Sequence, residues 1–154
     1  MKDIIVVAGL PGLGQDEWAE KQCESIGNDA VFLMEPFKYS EEWSKVRPEH
    51  QYVFLVDPHL CLLSPETIQG RLEVALGRSL EGVALRWVCT ENDLEAALAN
   101  TDKRYEKIIR KLSKDFKVPF SVQIIPTQGR RSPWWTIPVL RVFPKTEKTT
   151  KETA

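Results

Sequence analysis

The chain has 154 residues, 42% of them hydrophobic, with 21 Lys and Arg against 22 Asp and Glu for a formal net charge of -1. That length suits one domain with a proper core, the apolar content argues against disorder, and the near-zero charge argues against a protein that coats nucleic acid. The longest apolar runs, Ile4–Leu10 and Tyr52–Val56, are far too short to cross a bilayer, so no membrane association is expected, and the Met-Lys-Asp start without a small-residue cleavage site does not read as a signal peptide.

Lys2–Ala8 is continuous and β-branched, the pattern of a strand buried on both faces. Asp16 to Ile26 reads as a helix, with Asp and Glu in its first turn and Gly27-Asn28 as its stop. Ala30–Met34 is a second strand ended by Glu35-Pro36, and Tyr52–Val56 a third ended by Asp57-Pro58. Ser64-Pro65-Glu66 opens a helix, Ser as N-cap and Pro at the first helical position, that runs to about Leu80. Gly82–Thr90 is a fourth strand. Glu91-Asn92-Asp93 starts a helix through Ala99, and Lys103–Phe116 forms a strongly charged one. Ser121–Ile125 is a fifth strand and Thr136–Phe143 a sixth. Lys145–Ala154, with five Lys or Glu and four Thr, reads as a disordered polar tail.

This alternation predicts an α/β fold built from βαβ crossovers: a single domain over residues 1–144, with a mainly parallel sheet covered on both faces and an extra C-terminal strand at one edge. Cys23, Cys61 and Cys89 are odd in number, far apart and without a Cys-x-x-Cys pair. They fit a reducing, cytoplasmic setting in which thiols serve as small core residues. His50 and His59 are the only histidines, so no metal site of the zinc type is expected.

The first strand runs straight into Gly9-Leu10-Pro11-Gly12-Leu13-Gly14-Gln15-Asp16-Glu17. A phosphate-cradling loop needs Gly, four residues, Gly, Lys, then Ser or Thr. Its glycines let backbone N–H groups turn toward an anion, its Lys neutralises the β- and γ-phosphates, and its hydroxyl holds Mg²⁺. Gly9, Gly12 and Gly14 supply the backbone of such a loop, with a strand before it and a helix after. Gln15 stands where Lys belongs, and Asp16 where Ser or Thr belongs. A neutral amide cannot counter phosphate charge. Asp16 and Glu17 place carboxylates where a triphosphate would lie, although they complement the helix dipole by roughly 0.3–1 kcal/mol.

With these residues in hand, the chain resembles the P-loop kinases of the bacteriophage polynucleotide 5′-kinase type, among the small zeta-toxin-like kinases. That family opens with a strand and then Gly-x-Pro-Gly-x-Gly-Lys-Ser-Thr-Trp-Ala, which Gly9 to Ala19 follow closely, including Pro11 and the Trp18-Ala19 pair. Val53-Phe54-Leu55-Val56-Asp57-Pro58-His59-Leu60 is similar to the family's strand ending in Asp-Thr-Asn-Leu, and Ala96 to Arg104 to its lid segment Leu-x-Arg-Asn-x-x-Arg. The resemblance covers about residues 1–120 and implies a P-loop NTPase-like three-layer sandwich. It also implies that Glu35 occupies the place of the family's base, and that Lys103 and Arg104 belong to the lid. The departures fall on the catalytic positions: Gln15 for Lys, Asp16 for the hydroxyl, His59 for Asn and Ala99 for a lid Arg. Because phosphoryl transfer rests on positioning and charge neutralisation, the resemblance implies the fold more strongly than the activity.

Glu35 and Asp57 both sit at strand C-terminal ends, where ligands bind in open α/β sheets. They read either as a base and a metal- or water-linked acid, or as loop acids that end strands. Lys103, Lys107, Arg110, Lys111 and Lys114 share one helical face opposite Ile108, Ile109, Leu112 and Phe116, which reads as a solvated face or as an anion-facing one. Arg130, Arg131, Trp134 and Trp135 lie beyond the resemblance. They read as a turn packed on the sheet edge, a protein-docking spot, or a platform for single-stranded nucleic acid.

The resulting expectation is a catalytically impaired kinase-like protein that works by binding a protein partner or nucleic acid, with no cofactor. The alternative is an active polynucleotide or nucleotide kinase using ATP and Mg²⁺ at a rearranged phosphate site.

Overall fold

The computed structural model describes residues 1–117 and 123–125. Its first strand, β1 (Asp3–Ala8), is buried at all six positions, as its unbroken run of Ile and Val demands. β1 pairs in parallel with β3 (Tyr52–Val56) on one side and β4 (Ala84–Thr90) on the other. β2 (Ala30–Met34) lies outside β3, and β5 (Gln123–Ile125) outside β4. The five-stranded sheet therefore runs β2-β3-β1-β4-β5, with every pair parallel.

Four helices link these strands: α1 (Gln15–Ile26), α2 (Pro65–Leu76), α3 (Leu94–Asn100) and α4 (Glu106–Lys114). Successive residues of a strand point to opposite faces, so β1 feeds two separate cores. Ile4, Val6 and Ala8 pack with Ile68 and Leu72 of α2, Ala97 of α3, and Ile109 and Leu112 of α4. Ile5 and Val7 pack with Trp18 and Ala19 of α1, and with Phe54 and Val88 of the neighbouring strands. Trp18 meets Phe54 edge to face, ring centroids 6.3 Å apart. The result is three layers, with α1 on one side of the sheet and α2, α3 and α4 on the other.

Helix boundaries follow local chemistry. Ser64 Oγ accepts from the Thr67 N–H and starts α2, whereas Gly77, at φ 66, ends it four residues before the expected Leu80. The expected charged helix from Lys103 to Phe116 divides. Lys103–Tyr105 winds as a short 3₁₀ helix under an Asp102 cap, and α4 follows and stops at Lys114. Within α4, Ile109 and Leu112 are buried as expected, but Ile108 is exposed.

Two further 3₁₀ helices, Ser40–Lys45 and Pro58–Leu62, had no counterpart among the expected elements. The second follows from Asp57-Pro58, which reads in sequence as a strand stop. The Asp57 side chain also caps the helix by accepting from the His59 N–H at 2.9 Å. Among the described residues no helix is long and apolar enough to cross a membrane. The expected sixth strand at Thr136–Phe143 and the polar tail from Lys145 lie outside the described residues.

Candidate functional site

Strand order reverses around β1: the chain moves to one side for β2 and β3, then crosses to the other for β4 and β5. Such a switch point leaves a crevice at the strand's C-terminal end. The glycine loop sits there. Gly12 (φ 87) and Gly14 (φ 94) have left-handed backbones, and Gly14 leads directly into α1 without a side-chain cap. A Cβ at Gly12 would come within 2.7 Å of Thr101 Cγ2, so the loop and the end of α3 are in backbone-close contact. Asn100 fastens them, its Nδ2 donating to the Gly12 carbonyl at 3.0 Å.

Gln15 turns inward. Its side chain is only 4% exposed, and its Nε2 donates to the carbonyls of Gly9 at 3.1 Å and Leu10 at 2.7 Å. A loop that cradles an anion presents N–H groups to its centre. Here two carbonyl oxygens of the loop are directed at the Gln15 amide, and among the described residues the buried Oε1 of the same side chain has no hydrogen-bond partner. Asp16 and Glu17 occupy the first turn of α1, as the sequence requires.

Beside the loop, a cleft of about 520 Å³ opens over the C-terminal ends of β2 and β3, with Pro11, Glu35, His59, Asp102 and Tyr105 among its walls. Glu35 follows β2 in a left-handed conformation, φ 46, and its N–H donates to the Val56 carbonyl at 2.8 Å. Asp57 follows β3 and is 4% exposed, with its Oδ1 3.3 Å from His59 Nδ1. Glu35, Asp57 and His59 each bring one ligand-type atom to within 4.8 Å of the others. Lys38 stands at the rim, 5.3 Å above the Tyr39 ring. The Tyr39 side chain, then the Glu35 and Asp57 charges, push its ammonium pKa up.

The sequence-predicted residues therefore separate into groups. Gly9, Gly12, Gly14, Gln15 and Asp16 form one continuous loop and helix start, and Glu35 and Asp57 meet. Lys103 and Arg104 are exposed, and Arg104 lies 5.0 Å over the Tyr105 ring and 3.9 Å from Asp102. The cleft wall at this point is made by Thr101, Asp102 and Tyr105, not by Lys103 or Arg104. On the basic face of α4, Arg110 pairs with Glu106 and Lys111 with Asp115, exposed pairs that count for little energetically. Arg130, Arg131, Trp134 and Trp135 lie outside the described residues. Another cavity, of about 780 Å³, lies between the Ser40–Lys45 helix and α2 and holds none of the candidate residues.

Sequence reasoning did not anticipate Lys38, Tyr39 and Tyr105 as cleft residues, nor the Asn100–Gly12 bond. Nothing local marks a partner 88 residues away. No family model and no curated protein matches the chain.

Proposed function

We propose that this chain is a kinase-like α/β protein whose phosphate loop is occupied from within, and that it acts by binding a partner rather than by transferring phosphate. The observation that carries the reading is the Gln15 amide, buried in the loop and bonded to the Gly9 and Leu10 carbonyls. An ATP phosphate would have to displace that amide, turn the two carbonyls away, and approach Asp16 without the Lys that normally offsets its charge. A protein is the leading class of partner. Single-stranded nucleic acid is the second, supported by Lys107 and Lys114 of the basic α4 face, which form no ion pair among the described residues, and by the Arg130–Trp135 sequence.

The deciding experiment is thermal unfolding with Mg²⁺·ATP, comparing the unaltered chain with a Gln15→Lys, Asp16→Ser double variant. The unaltered chain keeps its melting temperature. The double variant gains about 5 °C or more if restoring the two residues restores nucleotide binding. Stabilisation of the unaltered chain by ATP, with 5′-phosphorylation of an oligonucleotide, overturns the proposal.

One observation favours the second reading, an active kinase with a rearranged site: Glu35 and Asp57 converge beside the loop. In that reading Glu35 is the base and Asp16 binds Mg²⁺ directly. Glu35→Gln then abolishes turnover, and absence of turnover in the unaltered chain removes the reading.

A further inference from the structure

α2 buries Ile68 and Leu72 against the sheet and leaves Thr67, Gly70 and Val74 exposed on its opposite face. We propose that this outer face is the contact surface of a parallel homodimer, α2 of one chain packing along α2 of a second copy. The inference stands apart from the proposed function, since it holds whether or not the glycine loop admits ATP.

Val74 is 83% exposed, against 37–47% for the other exposed large hydrophobic side chains among the described residues. An exposed valine alone names no partner, but the charges beside it do. Glu66 precedes Arg71 by five positions, and Glu73 precedes Arg78 by five. On one helix that spacing sets two side chains about 140° apart, too far round to pair. Accordingly, none of the four forms an ion pair among the described residues.

Between two parallel helices the same spacing is complementary. Thr67 and Val74 take the first position of a seven-residue repeat and Gly70 the fourth. Glu66 and Glu73 then flank the seam on one side, and Arg71 and Arg78 flank it on the other. Flanking positions meet across a parallel seam at a separation of five residues, so Glu66 faces Arg71 of the second copy and Arg71 faces its Glu66. Glu73 and Arg78 repeat the match at the end of the helix. Glu73 Oε2 already accepts from the Leu80 N–H at 3.0 Å, so the Glu66–Arg71 pair carries the argument. An antiparallel pairing brings like flanks together, Arg beside Arg and Glu beside Glu. The charges thus select a second copy of this chain and its direction.

The surroundings supply apolar area. Gly70, Arg71 and Val74 line the cavity of about 780 Å³, whose other wall carries Phe37 and Trp43, packed edge to face with centroids 5.6 Å apart. Gly70 fits the same reading. Glycine is a poor residue for a helix interior, and among the described residues a Cβ there would meet nothing within 4 Å. The packing of a single chain does not call for it, whereas at a seam it lets two backbones approach. One short helix makes a small interface, so the association is weak.

The test is analytical ultracentrifugation of the full chain from about 10 to about 300 µM, a range suited to a small interface. The unaltered chain passes from monomer to dimer, and about 500 mM salt weakens the dimer several-fold. Glu66→Arg and Arg71→Glu each weaken it about fivefold or more, because each puts like charges across the seam twice. An equimolar mixture of the two variants regains the affinity, since every pair across the seam is then opposite in sign. Val74→Glu abolishes association. Melting temperatures at about 10 µM show that each variant is folded. A monomer at every concentration, as when another part of the chain or a different protein covers α2, overturns the proposal. A dimer that survives Val74→Glu or both charge variants overturns it too, as does a mixture no tighter than its two components.

Discussion

Asn100 and Gly12 lie 88 residues apart and are joined directly, the Asn100 side-chain amide donating to the Gly12 carbonyl at 3.0 Å. Gly12 also admits no side chain, because a Cβ there would meet Thr101 Cγ2 at 2.7 Å and Asn100 Cβ at 3.2 Å. The glycine loop is thus pinned from outside by the end of α3 and from inside by Gln15. It is a load of backbone held in one shape by two amides. Asn100→Ala should lose about 1 kcal/mol of stability or more, the bond to Gly12 alone being worth about 1 kcal/mol. Gly12→Ala should lose more than about 2 kcal/mol, because left-handed strain adds to the clash. Urea unfolding of both variants checks the order, and equal losses would show that the close approach is not tight.

Gln15 answers two carbonyl oxygens at once. Gln15→Leu keeps the bulk and removes the donors, leaving the Gly9 and Leu10 carbonyls without the amide. The expected loss is about 1–3 kcal/mol in equilibrium denaturation. A variant as stable as the unaltered chain would mean that water replaces the amide without penalty, and that the loop is open enough to take a ligand.

Gly9 and Thr90 form a second close approach, where the loop leaves β1 beside the end of β4. A Cβ at Gly9, whose φ is 148, would collide with Thr90 Oγ1. That oxygen is buried and among the described residues has no hydrogen-bond partner, so no bond within them is lost with it. Gly9→Ala should therefore destabilise by about 2 kcal/mol or more, and adding Thr90→Ala should recover part of the loss although Thr90→Ala alone does not stabilise. A double-mutant cycle measures the coupling. Strict additivity would locate the penalty in the backbone angle and not in the contact.

The three cysteines are unpaired, and burial holds each thiol in its neutral form. Desolvation, then the charges of Glu20 and Glu24, pushes Cys23 up to about 12. Desolvation pushes Cys61 to about 12 and Cys89 to about 11. All three lie above the ordinary value of 9.0, so above pH 9 the unfolded chain releases thiol protons that the folded chain retains. Stability is fully present below that pH and falls from about pH 9 toward pH 11, with a limiting slope of about 1.4 kcal/mol per pH unit for each cysteine. Denaturation at pH 8 and pH 10.5 tests the sign. At pH 8 the folded thiols should also react with an alkylating reagent far more slowly than those of the urea-unfolded chain.

Much of the fold was legible locally. β2 and β3 occupy the segments their apolar runs and their Glu35-Pro36 and Asp57-Pro58 stops predict. Ser64-Pro65 starts α2 where a capping residue and a preset φ should, because those signals depend on neighbouring residues alone. α2 stopped early at Gly77, and the charged helix after Lys103 divided, where a glycine and an Asp cap outweighed the helical pattern. The glycine loop between β1 and α1 was also legible.

The sequence by itself determined the alternation of strands and helices, the loop after β1, and the acids at the strand ends. Tertiary structure decided what those residues face. In the parallel register of β2 and β3, Met34 stands opposite Val56, and so Glu35 is carried to Asp57 at the same sheet edge. Gln15 reads in sequence as a missing lysine. Folded, it is a buried donor to two carbonyls, because the loop wraps around its side chain. Lys103 and Arg104 read as lid charges, but the turn before α4 brings Asp102 and Tyr105 to the cleft wall instead. Local propensity places elements along the chain, whereas strand register and the path of a loop depend on contacts between distant segments, which no short stretch of sequence contains.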